Sequence, residues 1–306
     1  MIKTGISGFT FVRDAVRLDY PIRESILSIL PIVDEYIVNL GDCSDDTQAV
    51  IESIGSPKVK LIHTKWNPDR FVRGATNADQ TNIALNACTG DWCFYLQADE
   101  VVHEEDHSRI LEALRRADSR KEIDGLLFRY NHFWGDYSRV HRGHNWYDRE
   151  IRVIRNRSGI RSIKSAQSFR KTPDTKLKVI DCRGWIYHYG WVRHPSVMRR
   201  KTIALDSLHR PKEWVEKRHP EPGRPWDYGP LEKIPLFKGT HPQVMKERIE
   251  NKNWNAEDFR DLENPPDHKH LKLSMRLLSG VEKLIGRKIG GYSNWILLKD
   301  RTERNN

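Results

Sequence analysis

The feature that most constrains this chain is a regular alternation of strand-like and helix-like segments over its first 110 residues. Short apolar strands are predicted at Ile2–Thr10, Glu35–Leu40 and Val59–His63, with polar, helix-forming stretches between them. The segment Trp92–Gln97 (WCFYLQ) is almost wholly apolar, which is typical of a strand buried on both faces of a parallel sheet. The alternation predicts an α/β fold with a doubly wound, Rossmann-like mixed sheet flanked by helices.

Helical repeats separate these strands and follow them. They are predicted at Ala15–Leu30, with an interruption or a new start at Pro21, and at Asp45–Ile54, Thr76–Ala87 and Glu104–Ala117. Two more strands are expected at Gly125–Phe133 and Glu150–Ile154, after which the pattern becomes less regular. A chain of 306 residues can bury a large core, so one α/β domain with a C-terminal elaboration suits its length.

Charge is distributed unevenly along the chain. Residues 1–110 contain 10 Lys and Arg against 17 Asp and Glu, whereas residues 111–306 contain 42 against 25. The basic later part indicates an anionic partner, which leaves open a sugar diphosphate, an acidic glycan, a membrane face or nucleic acid. The N-terminal sequence lacks the apolar core of a secretory signal, and no apolar run has the length of a membrane span. A cytoplasmic protein is therefore expected.

Acidic clusters follow two of the predicted strands. GDCSDDT (Gly41–Thr47) comes after the second strand, and QADE (Gln97–Glu100) ends the apolar strand WCFYLQ. Ligands of open α/β sheets bind outside the carboxyl ends of the strands, where carboxylates could hold Mg²⁺ or Mn²⁺ together with a diphosphate. The alternative for Asp99 and Glu100 is a capping role, since a helix is predicted to begin soon afterwards.

Three segments in order carry a resemblance to a known family. VDEYIVNLGDCSDDT, ALNACTGDW and CFYLQADEVVHEED resemble the donor half of family 2 glycosyltransferases over roughly residues 1–110. The resemblance implies a GT-A fold and transfer of a sugar, with inversion, from a nucleotide-diphosphate sugar to an acceptor hydroxyl. It also implies a role in the synthesis of cell-surface polysaccharide or lipopolysaccharide. A UDP-sugar is the leading donor, and a glycan or a lipid-linked glycan is the expected acceptor.

The resemblance also implies a metal site, with Mn²⁺ or Mg²⁺ as the cofactor. Asp99 matches the last acid of the family's DxD motif, whose first position here is Gln97, and Glu100 could supply the missing charge. His188, in GWIYHYGWVR, lies where related enzymes place a late histidine on the metal or the diphosphate. Its alternative is a structural histidine in an aromatic setting. Further donor-binding positions implied by the resemblance are Phe9, Thr10, Arg13, Asp42, Asp45, Arg73, Asn77, Gln97 and Ala98.

The general base of an inverting enzyme should be a carboxylate that takes the proton of the acceptor hydroxyl. The segment HNWYDREIRVIRN resembles the corresponding part of the family loosely, which makes Asp148 the first candidate and Glu150 the second. A salt bridge with Arg149 or Arg152 is the alternative for either acid.

Two basic segments follow. Arg193, Arg199, Arg200 and Lys201 either stabilise the diphosphate or lie on a solvated helix, while the aromatic residues between Trp185 and Trp191 form either a sugar-stacking wall or core. The sequence HLKLSMRLLSGVEKLIGRKIGG predicts a basic amphipathic helix, suited to an anionic membrane surface, to packing on the catalytic domain or to a dimer contact. The expected parts are residues 1–110 for the nucleotide sugar, 111–205 for acceptor and catalysis, and 206–306 as a helical extension.

Two rival functions remain at this stage. A sugar nucleotidyltransferase also combines an α/β fold, carboxylates and a metal, but it usually has a glycine-rich phosphate loop, and the N-terminal stretch has only Gly5 and Gly8. The net charge of +10 could serve a nucleic-acid-binding or nucleic-acid-glycosylating protein, although no known nucleic-acid motif is present.

Overall fold

The computed structural model describes residues 5–66, 75–141, 143–172, 174–285, 288–290 and 293–299. Its strands are β1 (Ile6–Val12), β2 (Glu35–Leu40), β3 (Val59–His63), β4 (Trp92–Tyr95), β5 (Glu100–Val102), β6 (Gly125–Trp134), β7 (Asp136–His141), β8 (Arg149–Arg155), β9 (Ile160–Ile163), β10 (Ser168–Lys171), β11 (Leu177–Trp191) and β12 (Trp295–Leu297). Its helices are α1 (Ile22–Ile29), α2 (Thr47–Glu52), α3 (Ala75–Ala87), α4 (His107–Asp118), α5 (Pro195–Ser207), α6 (Lys212–Arg218), α7 (Lys246–Glu250) and α8 (Leu273–Ile285). Short 3₁₀ turns occur at Leu30–Ile32, Glu104–Asp106, Leu231–Lys233, Gln243–Met245, Ala256–Phe259 and Lys269–Leu271.

A large mixed sheet organises the molecule, and its strand order is β12-β11-β6-β8-β4-β1-β2-β3. In addition, β5 pairs with β11, and β7 pairs with β6. The pairs β1–β2, β2–β3, β1–β4 and β6–β11 are parallel, and β8 is antiparallel to both β4 and β6. Strands β1 to β4, β6 and β11 therefore run in the same direction. Their carboxyl ends meet at one edge of the sheet, where open α/β sheets bind ligands.

Two hydrophobic clusters cover the two faces of the sheet. Helices α1 and α4 bury Ile26 and Ile110 on one face, against Trp92 and Phe94 of β4. On the other face, α3 and the β9–β10 hairpin pack against the alternate residues of the same strand, including Tyr95. The apolar run WCFY is therefore buried on both sides, as its composition predicted.

The predicted fold class is confirmed: a mixed α/β sheet is flanked by helices. The strands at Glu35–Leu40 and Val59–His63 are observed with the bounds that the sequence predicted. The first helix is shorter than expected and starts at Ile22, since Pro21 has no amide hydrogen and is placed just before the first turn. The helix predicted from Asp45 starts at Thr47, because Asp45 uses its carboxylate in the preceding turn.

The C-terminal hundred residues are only partly helical. Short helices and 3₁₀ turns alternate with irregular chain, and β12 adds a strand to the main sheet beside β11. The predicted three-part division of the chain stays a prediction. Among the residues that the structure describes, no helix has the length and hydropathy needed to cross a bilayer.

Glu35 connects four segments at the sheet edge opposite the strand ends. Its carboxylate accepts hydrogen bonds from Ser7 Oγ (2.7 Å), Thr89 N (2.7 Å) and Thr89 Oγ1 (2.8 Å), and it pairs with Lys60 Nζ (2.7 Å). Burial alone would raise the pKa of Glu35, but these partners outweigh it and lower the pKa to about 2. The ionised form is therefore the one that stabilises the fold.

We expect Glu35→Gln to lower the free energy of unfolding at pH 7 by about 2 kcal/mol, because the amide loses the charged interactions. The folded-state pKa lies below the unfolded-state value. This stabilisation is therefore complete above about pH 4.5 and is lost as the pH falls towards 2. Urea unfolding at pH 7, 4.5 and 3 measures it, with the exposed Glu52→Gln as the control. A Glu35→Gln deficit that does not shrink on acidification would contradict this account.

Candidate active site

Asp99 and His188 meet at the edge where the parallel strands end. Asp99 follows β4, and the next three residues form β5, which pairs antiparallel with β11 so that Glu100 lies opposite His188. The amide of Tyr189 donates to the carbonyl of Asp99 (2.8 Å). Backbone pairing therefore brings a carboxylate from the first third of the chain beside a histidine from its second half.

The Asp99 carboxylate lies in a buried, positively charged environment. Oδ2 accepts a hydrogen bond from Lys201 Nζ (3.0 Å), and Oδ1 lies 3.7 Å from His188 Nε2. Only 6% of Asp99 is exposed. Burial would raise the pKa of Asp99, but the positive charges of Lys201 and Arg193 outweigh this effect and hold the pKa well below its usual range. Asp99 is therefore an anion surrounded by cations and imidazole.

A chain of hydrogen bonds sets the protonation of His188. Nε2 of His132 lies 2.7 Å from the carbonyl oxygen of Tyr147, and the Nδ1 atoms of His132 and His188 are 2.9 Å apart. Burial lowers the pKa of both imidazoles, which favours their neutral forms. His132 must donate from Nε2 to the carbonyl and accept at Nδ1, so His188 donates from Nδ1. Its Nε2 then presents a lone pair towards Asp99.

Two buried cations complete this centre. Lys201, from α5, donates to Asp99 and to the carbonyl of Gly190 (2.6 Å), and Arg193 donates to the same carbonyl. Both side chains are buried, and each lies 5.0 Å from the ring centre of Tyr20. Burial is the main cause that lowers the pKa of Lys201, to about 8. The alternative of a solvated helix does not hold for these two residues, although exposed Arg200 fits it.

Gly190 is required at its position by close packing. A Cβ atom there would lie 2.4 Å from His188 Nε2 and 3.0 Å from Asp99 Oδ2. Any larger residue would therefore enter the space between the two groups.

Glu100 serves a different purpose from the predicted metal contact. Its carboxylate forms a two-pronged ion pair with Arg152, from Nε and Nη2 at 2.7 Å each, and also accepts from Tyr130 Oη (2.8 Å) and Gln97 N (3.1 Å). Both partners are fully buried, and the guanidinium lies 5.4 Å from the ring centres of Tyr95 and Tyr130. Because both oxygens are engaged, Glu100 holds the turn that carries Asp99 and has no oxygen left for a cation.

A second group of side chains lies at the ends of β1, β2 and β3. The Arg13 guanidinium lies over the ring of Trp66 (5.7 Å), the ring of Phe11 packs against the same indole (5.8 Å), and Arg13 Nε is 3.6 Å from Asp42 Oδ1. Gly41 permits this approach, because a Cβ atom there would lie 2.7 Å from Trp66 Nε1. Within the described residues, Arg13 Nε and Trp66 Nε1 are buried and have no hydrogen-bond partner.

The remaining predicted donor residues lie on β1, just after β4 and in α3. Phe9 and Ala98 are core residues, and Thr10 is fully buried. Gln97 donates from its amide to the carbonyl of Ala166 (3.3 Å). Asn77 lies in the first turn of α3, and its Oδ1 has no hydrogen-bond partner in the described part of the chain. Arg73 lies outside the described residues.

Asp45 belongs to a turn rather than to an open pocket. Its carboxylate accepts from Arg17 N (2.7 Å) and from Thr47 N (3.1 Å), while Asp14 accepts from Ser44 N (2.7 Å). Ligand atoms of Asp14, Cys43 and Asp45 lie within 4.8 Å of one another, a grouping that could hold a cation. Because backbone amides already bind these carboxylates, the group fastens the loop after β1 to the loop after β2.

The two candidate bases differ in exposure. Asp148 is exposed just before β8, and its carbonyl accepts from Tyr130 N (3.0 Å). Glu150 is buried and accepts from Ser168 Oγ (2.8 Å), Ile151 N (3.0 Å) and Asn294 Nδ2 (3.2 Å). Burial raises the pKa of Glu150.

A comparison with known families identifies the chain. The sequence model described as "Glycosyl transferase family 2" matches residues 21–177, just over half of the chain and the part that contains β2 to β10. The chain belongs to glycosyl transferase family 2. Its mixed sheet flanked by helices is of the GT-A type, as the resemblance of its first 110 residues implied. No curated protein matches the chain.

Several solved structures of glycosyltransferases are similar to this family 2 chain. Glucosyl-3-phosphoglycerate synthase of Mycobacterium tuberculosis is 20% identical, with 42% of this chain and 45% of that chain covered and a TM-score of 0.32. The same enzyme in complex with Mn²⁺, UDP-glucose and phosphoglyceric acid is 21% identical, with 42% and 44% covered and a TM-score of 0.32. TarS of S. aureus is 14% identical, with 70% and 42% covered and a TM-score of 0.38. The chain spans less than half the length of each.

Sequence reasoning missed several residues of this family 2 site. Arg152 was considered only as a salt-bridge partner of Asp148 or Glu150, whereas its partner is Glu100. His132 lies within a strand that looked like ordinary sheet, and Trp66 lies in a loop after β3. A signal existed for Arg152, since a charged residue inside the apolar run EIRVI needs a buried partner. None was available for His132, whose role depends on the pairing of β6 with β11.

Proposed function

We propose that this protein is a metal-dependent, inverting glycosyltransferase that moves a sugar from a UDP-sugar to a hydroxyl of a glycan or lipid-linked glycan in cell-surface polysaccharide synthesis. One observation carries the proposal. In a chain of glycosyl transferase family 2, the carboxylate of Asp99 and the lone pair of His188 Nε2 lie side by side where β4 ends. This pair supplies an anionic oxygen and a neutral nitrogen to one cation.

The donor atoms fit Mn²⁺ or Mg²⁺. Neighbouring ligands of an octahedral cation at 2.0–2.1 Å lie about 3 Å apart, and the Asp99 and His188 atoms are 3.7 Å apart before any adjustment. Such a cation supplies positive charge to the leaving diphosphate. Gln97 brings no charge, and Glu100 is engaged by Arg152, so the protein offers two ligands and leaves the other positions to phosphate and water.

Lys201 and Arg193 add permanent positive charge beside the same centre. In the described structure Lys201 neutralises Asp99 (3.0 Å). Were a cation held by Asp99 and His188, the Lys201 ammonium would add its own positive charge beside the diphosphate oxygens. Arg193 fixes Lys201 by sharing the carbonyl of Gly190.

The group of Arg13, Phe11, Asp42 and Trp66 is the proposed nucleoside site. The half-buried Arg13 guanidinium lies over the buried Trp66 indole at the end of β1, and its outer face could stack on a base. We take UDP as the nucleotide because family 2 membership favours it.

The acceptor side is lined by tryptophans. Trp191 stacks on Trp134 (5.0 Å between ring centres), and Trp146 and Trp226 flank it at 6.0 and 6.1 Å. Trp146, Trp191 and Trp226 are half-buried, and the Lys201 ammonium lies 6.0 Å from the ring centre of Trp191. Half-exposed aromatic faces suit the apolar side of a sugar ring. Tyr187 and Tyr189 instead belong to the core beside Phe133.

Ligand-induced stabilisation tests the proposal. We expect Mn²⁺ with UDP to raise the Tm by several degrees, since a ligand at 100 times its Kd adds about 2.7 kcal/mol to the native state. UDP with EDTA should give a smaller shift, and ADP with Mn²⁺ is the matched control for the base. Turnover of a UDP-sugar should release UDP. Release of pyrophosphate from UTP and a sugar phosphate would instead support a nucleotidyltransferase, and absence of any nucleotide shift would overturn the donor assignment.

A further inference from the structure

Helix α8 is amphipathic, but its apolar side faces outwards. Leu273, Leu277 and Leu284 expose 69%, 63% and 88% of their surface, and Val281 and Ile285 are exposed as well. The spacing of four, four and three residues from 273 to 284 places them in one stripe along the helix. A contiguous apolar stripe on a protein surface marks an interaction site more often than a solvated face.

Polar contacts hold the helix in this orientation. The carboxylate of Glu282 is buried and accepts from Ile289 N (2.7 Å) and pairs with His144 Nδ1 (2.6 Å), while Ser279 Oγ accepts from His144 N (2.9 Å). Lys288 donates to the carbonyl of Gly143 (2.8 Å). Two bonds from α8 and a third from Lys288, just after the helix, thus fix its polar side to the loop between β7 and β8, which leaves the leucines outside.

Basic residues accompany the apolar stripe. Residues 269–288 contain six Lys and Arg and one acid, Glu282, which is turned inwards. The basic row consists of exposed Arg276 and Lys283, which are seven residues apart on α8 beside the leucines, together with exposed Lys272 just before the helix. The outward surface of α8 is therefore both apolar and strongly cationic.

We propose that the outward face of α8 binds an anionic lipid bilayer, with the leucine stripe in the acyl boundary and the basic row at the phosphates. A second copy of the chain would bring like charges together. A nucleic acid would leave the leucines in water. An anionic membrane offers acyl chains to the leucine stripe and phosphates to the basic row.

The position of α8 also suits the proposed function. The 143–146 loop that anchors the helix leads directly to Asp148, and Trp146 in that loop packs against His132 (4.8 Å). A membrane-bound enzyme would thus present its acceptor side close to the lipid surface. This orientation rests on the proposed function, whereas membrane binding itself does not.

Vesicle flotation of the full chain tests the proposal. We expect binding to phosphatidylglycerol/phosphatidylcholine vesicles, little binding to pure phosphatidylcholine, and a decline with salt. Leu277→Ser/Leu284→Ser should reduce the partition coefficient about tenfold or more, because two exposed apolar anchors are lost. Leu262→Ser is the matched control, since Leu262 is 77% exposed but lies between acidic residues outside the helix. Arg276→Gln/Lys283→Gln should weaken binding and its salt dependence together.

Several results would overturn the proposal. One is that the unaltered chain does not bind anionic vesicles. Another is that the leucine variant binds them equally well, because this would show unspecific attraction of a basic protein to the vesicles. A concentration-dependent dimer lost in the leucine variant, without vesicle binding, would assign the face to self-association. The Tm and the UDP-induced shift of each variant are measured in parallel, so that unfolding or failure of the donor assignment is seen separately.

Discussion

Asp99→Asn should reduce sugar transfer by about 10³-fold or more, because the substitution removes the anionic ligand from the proposed metal centre at nearly constant volume. The lost interaction acts on charge that develops on the leaving diphosphate. Turnover should therefore fall more than the affinity for the free nucleotide. Initial rates of UDP release at saturating donor, with and without added Mn²⁺, measure the effect. Asp91→Asn, at the opposite end of the same strand, is the matched control and should retain full turnover.

The Asp99→Asn variant is also expected to lose stability, because Asp99 and Lys201 form a buried ion pair. Removing the Asp99 charge leaves the Lys201 ammonium buried without its anion, and breaking a buried pair in this way costs about 3–5 kcal/mol. The double variant Asp99→Asn/Lys201→Met removes both charges and should recover most of the Tm without recovering transfer. Near-normal turnover in the double variant, or unaffected turnover of the unaltered enzyme after exhaustive chelation, would sink the metal assignment.

The parts of the fold that were predictable from the sequence are those fixed by local patterns. EYIVNL and VKLIH are short apolar runs bounded by polar turns, and their strand limits agree with the structure. Pro21 predicted an interruption or a new start of the helix, and the observed helix does start directly after it. Residues 13–20 form turns, in which Asp14 and Asp19 adopt positive φ angles. A repeat of apolar residues cannot reveal such backbone conformations.

The site was less predictable because it depends on pairings between distant segments. Asp99 was recognised at the end of its strand, but nothing local shows that β5 pairs with β11 and brings His188 within 3.7 Å. Glu100 and Asp99 are adjacent acids after the same apolar strand, so the sequence does not distinguish them. Only the ion pair of Glu100 with Arg152, on a neighbouring strand, separates their roles. Chemistry at this edge thus follows from sheet register, which a single sequence specifies weakly.

The burial of the Lys201 charge was also not predictable from the sequence. In the sequence it follows two arginines and looks like part of a solvated basic helix, yet it is 5% exposed and contacts Asp99. The basic excess after residue 110 therefore contains two populations. One consists of buried cations at the candidate centre, and the other is the exposed row on α8 that we assign to an anionic surface.

The proposed general base can be separated from its neighbour by a pair of variants. The backbone links Asp148 to the proposed metal centre, because the preceding carbonyl, of Tyr147, accepts from His132, which in turn contacts His188. Its side chain is exposed. Glu150 is buried and bonded to Ser168, Ile151 and Asn294. We therefore propose Asp148 as the base and a structural role for Glu150.

Asp148→Asn should lower turnover by about 10²- to 10⁴-fold, the usual contribution of a general base, while the UDP-induced Tm shift is retained. Glu150→Gln should act mainly on stability: its amide can keep only part of the hydrogen bonds, so we expect a lower Tm with turnover per folded molecule reduced less than tenfold. Initial rates at saturating donor and acceptor, corrected for the folded fraction, compare the two variants directly. Loss of both turnover and nucleotide binding in Asp148→Asn would indicate a structural acid. Near-normal turnover in both variants would place the base on another carboxylate, to be sought beyond residue 180.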